Sequence, residues 1–158
     1  MKKGSTLFLK AVLALVALAV FASLAWFPQT EGRAANLDLI SIYKDPVIIY
    51  MYIASIPFFV ALYQAFKLLG YIEKNRVFSP IAVTALRNIK YCALAIIGFL
   101  IIAILYIRFM AQGDDPAGPT MIGFITIFTS AVIATAAGVF QKLLQNAVNI
   151  KSENDLTV

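Results

Sequence analysis

The chain has 158 residues, 61% of them hydrophobic and 13% charged, with a formal net charge of +5, one cysteine and no histidine. A soluble domain of this length cannot bury so large an apolar fraction, so lipid is the solvent the composition requires. The missing histidines remove the commonest metal ligand and general base, and the lone Cys92, set in an apolar run, excludes an internal disulfide and reads as a small packing residue.

Taken in order, the chain begins with a short basic segment carrying Lys2 and Lys3, followed by Lys10. Ala11 to Thr30 is uncharged for 20 residues and includes Trp26 and Phe27. That run exceeds a usual signal-peptide core, and bulky aromatics suit the membrane interface better than a cleavage site, so it reads as a retained first span over about 7–28. Gln29 to Asp45 is a mixed loop, with an expected turn of surface helix within Ala34 to Tyr43. Pro46 opens a second uncharged run that reaches Phe66, giving a span over 46–68. Pro57 lies inside it and is expected to kink the helix, either for packing or for a gate.

The polar stretch 67–91 follows, KLLGYIEKNRVFSPIAVTALRNIKY. Ser79 then Pro80 is an N-cap followed by a first-turn proline, so a helix is expected over 80–109. Its first turns stand outside the hydrocarbon, with Ile81, Ala85, Leu86 and Ile89 on one face. Tyr91 to Ile107 supplies the third apolar run. Gln112 to Pro119 (QGDDPAGP) is turn-like, and a fourth span is expected over 119–145. Residues 150–158 form a polar tail, expected to fray on the cytoplasmic side.

The fold class is therefore all-α, an integral membrane four-helix bundle. With both termini inside, Lys2, Lys3, Lys10, Lys67, Lys74, Arg76, Arg87, Lys90, Lys142 and Lys151 lie on the cytoplasmic side, against Arg33, Lys44 and Arg108 outside. This asymmetry predicts an N-in, C-in orientation. Cations clustered between apolar runs point to a bilayer with anionic lipids, not to direct contact with nucleic acid.

None of the four runs contains an ionisable residue near its centre, which argues against proton- or sodium-coupled transport. The Glu-Arg and Asn arrangement of four-span glutathione-using membrane enzymes is missing too: the second run offers Gln64 and Lys67. No catalytic, cofactor-binding or metal-binding residues are expected. In the fourth span Ala131, Ala134, Thr135 and Gly138 fall at i, i+3, i+4 and i+7 and are expected to share one packing face. That face would serve intrachain packing, self-association into a homo-oligomer, or a small ligand. The basic residues Lys74, Arg76, Arg87 and Lys90 would meet lipid headgroups or dock a cytoplasmic partner.

The order Lys74, Asn75, Arg76, Val77, Phe78, Ser79, then Leu86, Arg87 and Ile89, resembles a bacterial family of small four-span membrane proteins, domain of unknown function 2975. The resemblance implies a bacterial inner-membrane location. Some members are encoded beside a small helix-turn-helix regulator, which implies a role in signalling. The expected function is a non-enzymatic regulatory or interaction module acting through 67–91. The alternative is a small transporter or pore for a neutral or apolar solute.

Overall fold

A computed structural model of the chain describes residues 3–30, 38–110 and 117–157. The described residues form five helices and no strand: α1 Lys3–Thr30, α2 Leu39–Tyr43, α3 Pro46–Glu73, α4 Pro80–Phe109 and α5 Ala117–Leu156. All but α2 are long and apolar enough to cross a membrane. Large apolar side chains such as Leu15, Leu18, Phe21, Ile102 and Phe128 stand exposed along them. Water would not tolerate that surface; lipid does.

Local chemistry sets the helix ends. Asp45 caps α3 by accepting a 2.8 Å hydrogen bond from the Val47 amide, and Pro46 fills the first helical position. Ser79 caps α4 in the same way, accepting from the Ala82 amide at 3.4 Å, with Pro80 next. α3 continues as one helix through Pro57. The expected surface turn within Ala34 to Tyr43 is represented by α2; residues 34–37 lie outside the described residues, as does most of the QGDDPAGP turn.

The spanning helices pack in chain order: α1 on α3, α3 on α4, and most extensively α4 on α5. Small residues explain the last pairing. α5 buries Gly123, Ser130, Ala134, Ala137 and Leu144. Half-buried Ile127, Gln141 and Val148 complete an alternating three- and four-residue spacing. That 3.5-residue period keeps one stripe against a partner helix over many turns. At one end a Cβ on Gly123 would sit 2.8 Å from Cδ1 of Ile104; at the other, a Cβ on Gly138 would sit 3.3 Å from Cδ of Lys90. The backbones approach closely because these side chains are absent.

α1 is the least enclosed of the four, and its seam ends in an unusual repair. Pro28 lies inside the helix and has no N–H to offer the carbonyl of Leu24. The hydroxyl of Tyr52 on α3 donates to that same carbonyl at 2.8 Å. One residue on, Tyr43 of α2 donates to the Ala25 carbonyl at 2.9 Å, and its ring stacks on Tyr52 with centroids 6.4 Å apart. At the other end of α1, Lys10 forms an ion pair of 2.5 Å with Glu73 on α3. The Lys10 ammonium is thus paired, and it also stands 5.4 Å from the Phe66 ring.

One expectation is corrected here. α5 does not fray at its end; it runs 40 residues to Leu156. Gln145 and Asn149 bond one turn apart at 2.9 Å, and the Thr157 hydroxyl returns to the Glu153 carbonyl at 2.6 Å. At 1.5 Å per residue the helix is about 60 Å long, roughly twice the hydrocarbon thickness.

Replacing Tyr52 with Phe removes the donor that serves Leu24 and is expected to lower stability in detergent by about 1 kcal/mol. With Pro28→Ala in place, a backbone N–H takes over the carbonyl, so Tyr52→Phe then costs close to nothing. A double-mutant cycle read by thermal unfolding measures the coupling. Equal costs in the two backgrounds would show that the hydroxyl does not stand in for the missing backbone bond.

Candidate functional site

Stretch 74–79 is a compact turn built from capping interactions. Lys74 closes α3 and Asn75 takes a positive φ of 53°, a conformation asparagine tolerates better than most residues. The Arg76 amide donates to the Tyr71 carbonyl at 2.9 Å and the Asn75 amide to the Ile72 carbonyl at 3.1 Å. This pair of bonds is the Schellman arrangement that stops a helix sharply. The Ser79 hydroxyl donates back to the Arg76 carbonyl at 2.7 Å, tying the turn to the start of α4. Lys74 and Arg76 are exposed as a result, and Phe78 is held with 58% of its surface open.

Beneath the turn lies a cluster of buried side chains. Ala82, Val83 and Leu144 are buried, with Leu68, Tyr71, Val77, Leu86 and Val148 packed around them. Of the expected face of Ile81, Ala85, Leu86 and Ile89, Ala85 is buried and Leu86 and Ile89 are half-buried, Leu86 packing against the cluster; Ile81 is exposed, and Ala82 and Val83 are buried with the others. The buried arc is wider than one stripe because α4 packs against both α3 and α5.

Beside the cluster, an apolar groove of about 330 Å³ opens between the turn and α5, lined by residues including Ile72, Phe78, Leu86, Phe140 and Leu143. A separate, shallower and more polar depression lies on the other side of Phe78 along the extension of α5, lined by Ala147, Ile150, Lys151, Asn154 and Asp155. Lys67, Lys90 and Lys142 bound the uncharged runs of α3, α4 and α5. Nearly all of the groove's lining residues stand on the polar side of that ring. Lys74, Arg76, Arg87, Lys142 and Lys151 make no ion pair among the described residues.

The basic residues singled out in the sequence thus divide. Lys74, Arg76 and Arg87 are exposed at this end. Lys90 is half-buried; its stem packs near Gly138 and its ammonium lies 4.8 Å from the Tyr91 ring. The four residues expected on one face of α5 divide as well. Ala134 is buried and Gly138 half-buried, while Ala131 and Thr135 are exposed, the Thr135 hydroxyl donating to the Ala131 carbonyl at 2.8 Å. Thr126 and Thr129 likewise donate to their own helix, at 2.8 and 2.9 Å. These hydroxyls are satisfied within α5 and line no pocket described between helices. The groove between α3 and α4 at the other end, about 240 Å³, is walled by residues such as Val47, Ile102 and Tyr106, and the Tyr50 hydroxyl at its edge is committed to the Phe99 carbonyl at 2.7 Å. Phe140, Leu143 and Ile150 went unnoticed in the sequence reading. The cue was present as apolar residues recurring at helical spacing after Lys142.

Four apolar helices and a capped turn between the second and third define a small multi-pass membrane protein. The chain belongs to the family described as a protein of unknown function, DUF2975, whose model matches residues 21–158. It is similar to the uncharacterized membrane protein YoaS of Bacillus subtilis (strain 168), with 48% identity over 160 residues and complete coverage of both chains. No solved structure matches.

The burial pattern of α5 makes a paired prediction. Ala134→Leu inserts three carbons into the seam with α4 and is expected to lower stability in detergent by about 1–3 kcal/mol. Ala131→Leu, on the exposed side of the same turn, is expected to leave it unchanged. Thermal unfolding of the two variants side by side checks this; equal losses would mean that Ala131 also packs against protein.

Proposed function

We propose that this protein is a non-enzymatic interaction module of the bacterial inner membrane, with both termini and the 74–79 turn in the cytoplasm. One observation carries the reading: Phe78 is held largely exposed beside an apolar groove by a rigidly capped turn that also carries the exposed Lys74 and Arg76, which make no ion pair among the described residues. A large aromatic in that position adds unfavourable exposed surface unless something covers it. The excess of Lys and Arg at this end supports the cytoplasmic assignment. A regulatory role follows if the covering partner is a soluble protein whose availability changes on docking.

Two measurements test the reading. Orientation is checked by labelling intact cells with a membrane-impermeant maleimide, using Asp38→Cys and Ser152→Cys in a Cys92→Ala background. Asp38→Cys is expected to react and Ser152→Cys to react only after the cells are opened; the reverse pattern would overturn the assignment. Docking is checked with a photo-crosslinking amino acid in place of Phe78, and in place of Phe128, which faces outward from the middle of α5 with 71% of its surface exposed. Position 78 is expected to yield a discrete protein adduct that disappears with Lys74→Glu and Arg76→Glu, and position 128 none. Absence of a protein adduct at position 78 would remove the basis for an interaction module.

A further inference from the structure

The seam between α1 and α3 is not closed along its length. A groove of about 220 Å³ opens there, walled by Ala14 and Ala17 on α1 and by Phe59, Leu62, Tyr63 and Phe66 on α3. From Phe59 to Phe66 the α3 wall rises seven residues, or about 10 Å at about 1.5 Å per residue. Both walls lie inside the uncharged runs Ala11 to Thr30 and Pro46 to Phe66, so the groove sits at hydrocarbon depth, where a soluble partner does not reach. A transmembrane helix, about 10–12 Å across with its side chains, rests on such a slot without entering it. A hydrocarbon chain enters.

Two cations stand where the groove meets the interface. The Lys67 ammonium lies 4.6 Å from the centroid of the Tyr63 ring, and the Lys10 ammonium 5.4 Å from that of Phe66. Both rings are walls of the groove. Lys10 is paired with Glu73, whereas Lys67 makes no ion pair among the described residues. Glu73 is the only carboxylate in the sequence between Asp45 and Asp114, and Lys10 already holds it. An uncompensated cation above an apolar slot is complementary to one kind of molecule present at that depth, a phospholipid, whose phosphate lies at the interface with its acyl chains below.

We propose that the α1–α3 groove binds an anionic phospholipid of the leaflet around Lys10 and Lys67. One acyl chain lies against Ala14, Ala17 and Phe59, and the phosphate meets the Lys67 ammonium. A zwitterionic headgroup is disfavoured, because its own ammonium would stand beside Lys67 and Lys10 with no free carboxylate to receive it. The bound chain completes a seam that protein leaves open: α1 buries only Thr6 and Pro28, one near each end, and the groove lies between them. The site is independent of the reading at Phe78.

The test uses the full chain in nanodiscs of zwitterionic lipid containing a small fraction of phosphatidylglycerol with a photoreactive diazirine in one acyl chain. A parallel sample carries the same diazirine on phosphatidylcholine, and labelled peptides are mapped by mass spectrometry. The reference surface is the stretch of α5 around Val139, which is exposed and lies within an uncharged run three residues from Lys142, near the same interface. Phosphatidylglycerol label is expected to concentrate on residues 13–17 and 59–66 relative to that stretch, and phosphatidylcholine label to spread over both. Lys67→Gln is expected to cut the enrichment about fivefold, the worth of one basic residue near an anionic surface. Lys142→Gln, which removes the same charge from α5, is expected to leave it unchanged. Ala14→Leu fills the slot from an exposed position and is expected to abolish the enrichment, with thermal unfolding in lipid-free detergent unchanged. Even labelling of the groove and the Val139 stretch, equal enrichment by the two lipids, or enrichment that survives Lys67→Gln would overturn the proposal.

Discussion

Inside a bilayer no water is available to repair an unpaired backbone group, and this constraint organises the molecule. α1 contains a proline where a continuous helix would place a donor, and the orphaned Leu24 carbonyl is served by Tyr52 from α3. The same rule governs α5, where Thr126, Thr129 and Thr135 each return their hydroxyl to a carbonyl four residues back. A hydroxyl satisfied this way can face lipid without penalty. It is therefore poor evidence for a solute path.

Packing in chain order follows from where the small residues are. α4 and α5 meet through Gly123, Ser130, Ala134 and Ala137, which let the helices close on each other; α1 brings larger side chains such as Leu13, Val20 and Leu24 to its narrow seam with α3. Lipid is as apolar as leucine, so close backbone approach, not hydrocarbon burial, decides which helices associate. The ion pair of Lys10 with Glu73 then fixes the start of α1 beside the end of α3, at the end of the molecule that also carries the 74–79 turn.

The four spans, the Ser79 cap and the first-turn prolines at positions 46 and 80 were legible because each is a local signal. Which small residues of α5 face inward was not. Between Gly123 and Gly138 the helix carries two glycines, four alanines and a serine, and several stripes of small residues can be drawn through them. The stripe through Ala131, Ala134, Thr135 and Gly138 meets the one that packs only in part, because the partner selects a 3.5-residue seam from Gly123 to Val148. The helical tail was obscured by composition: KSENDLTV is polar, and polarity alone does not separate a solvated helix from a frayed end. The decisive fact is that α5 enters this segment as an established helix, so each further residue extends it without a new nucleation step.

That extension changes what the basic end can do. A turn between two spans would lie flat against headgroups, and its cations would be lipid anchors. Here α5 rises beside the turn and forms a second wall of the groove that Phe78 lines. The turn is rigid at both ends: two backbone bonds stop α3 at Asn75 and Arg76, and Ser79 starts α4. Such a turn positions Phe78 without the entropy loss that a flexible loop would incur on binding. The bilayer fixes the bundle, the caps fix the turn, and the fourth span supplies the second wall of the apolar groove beside it.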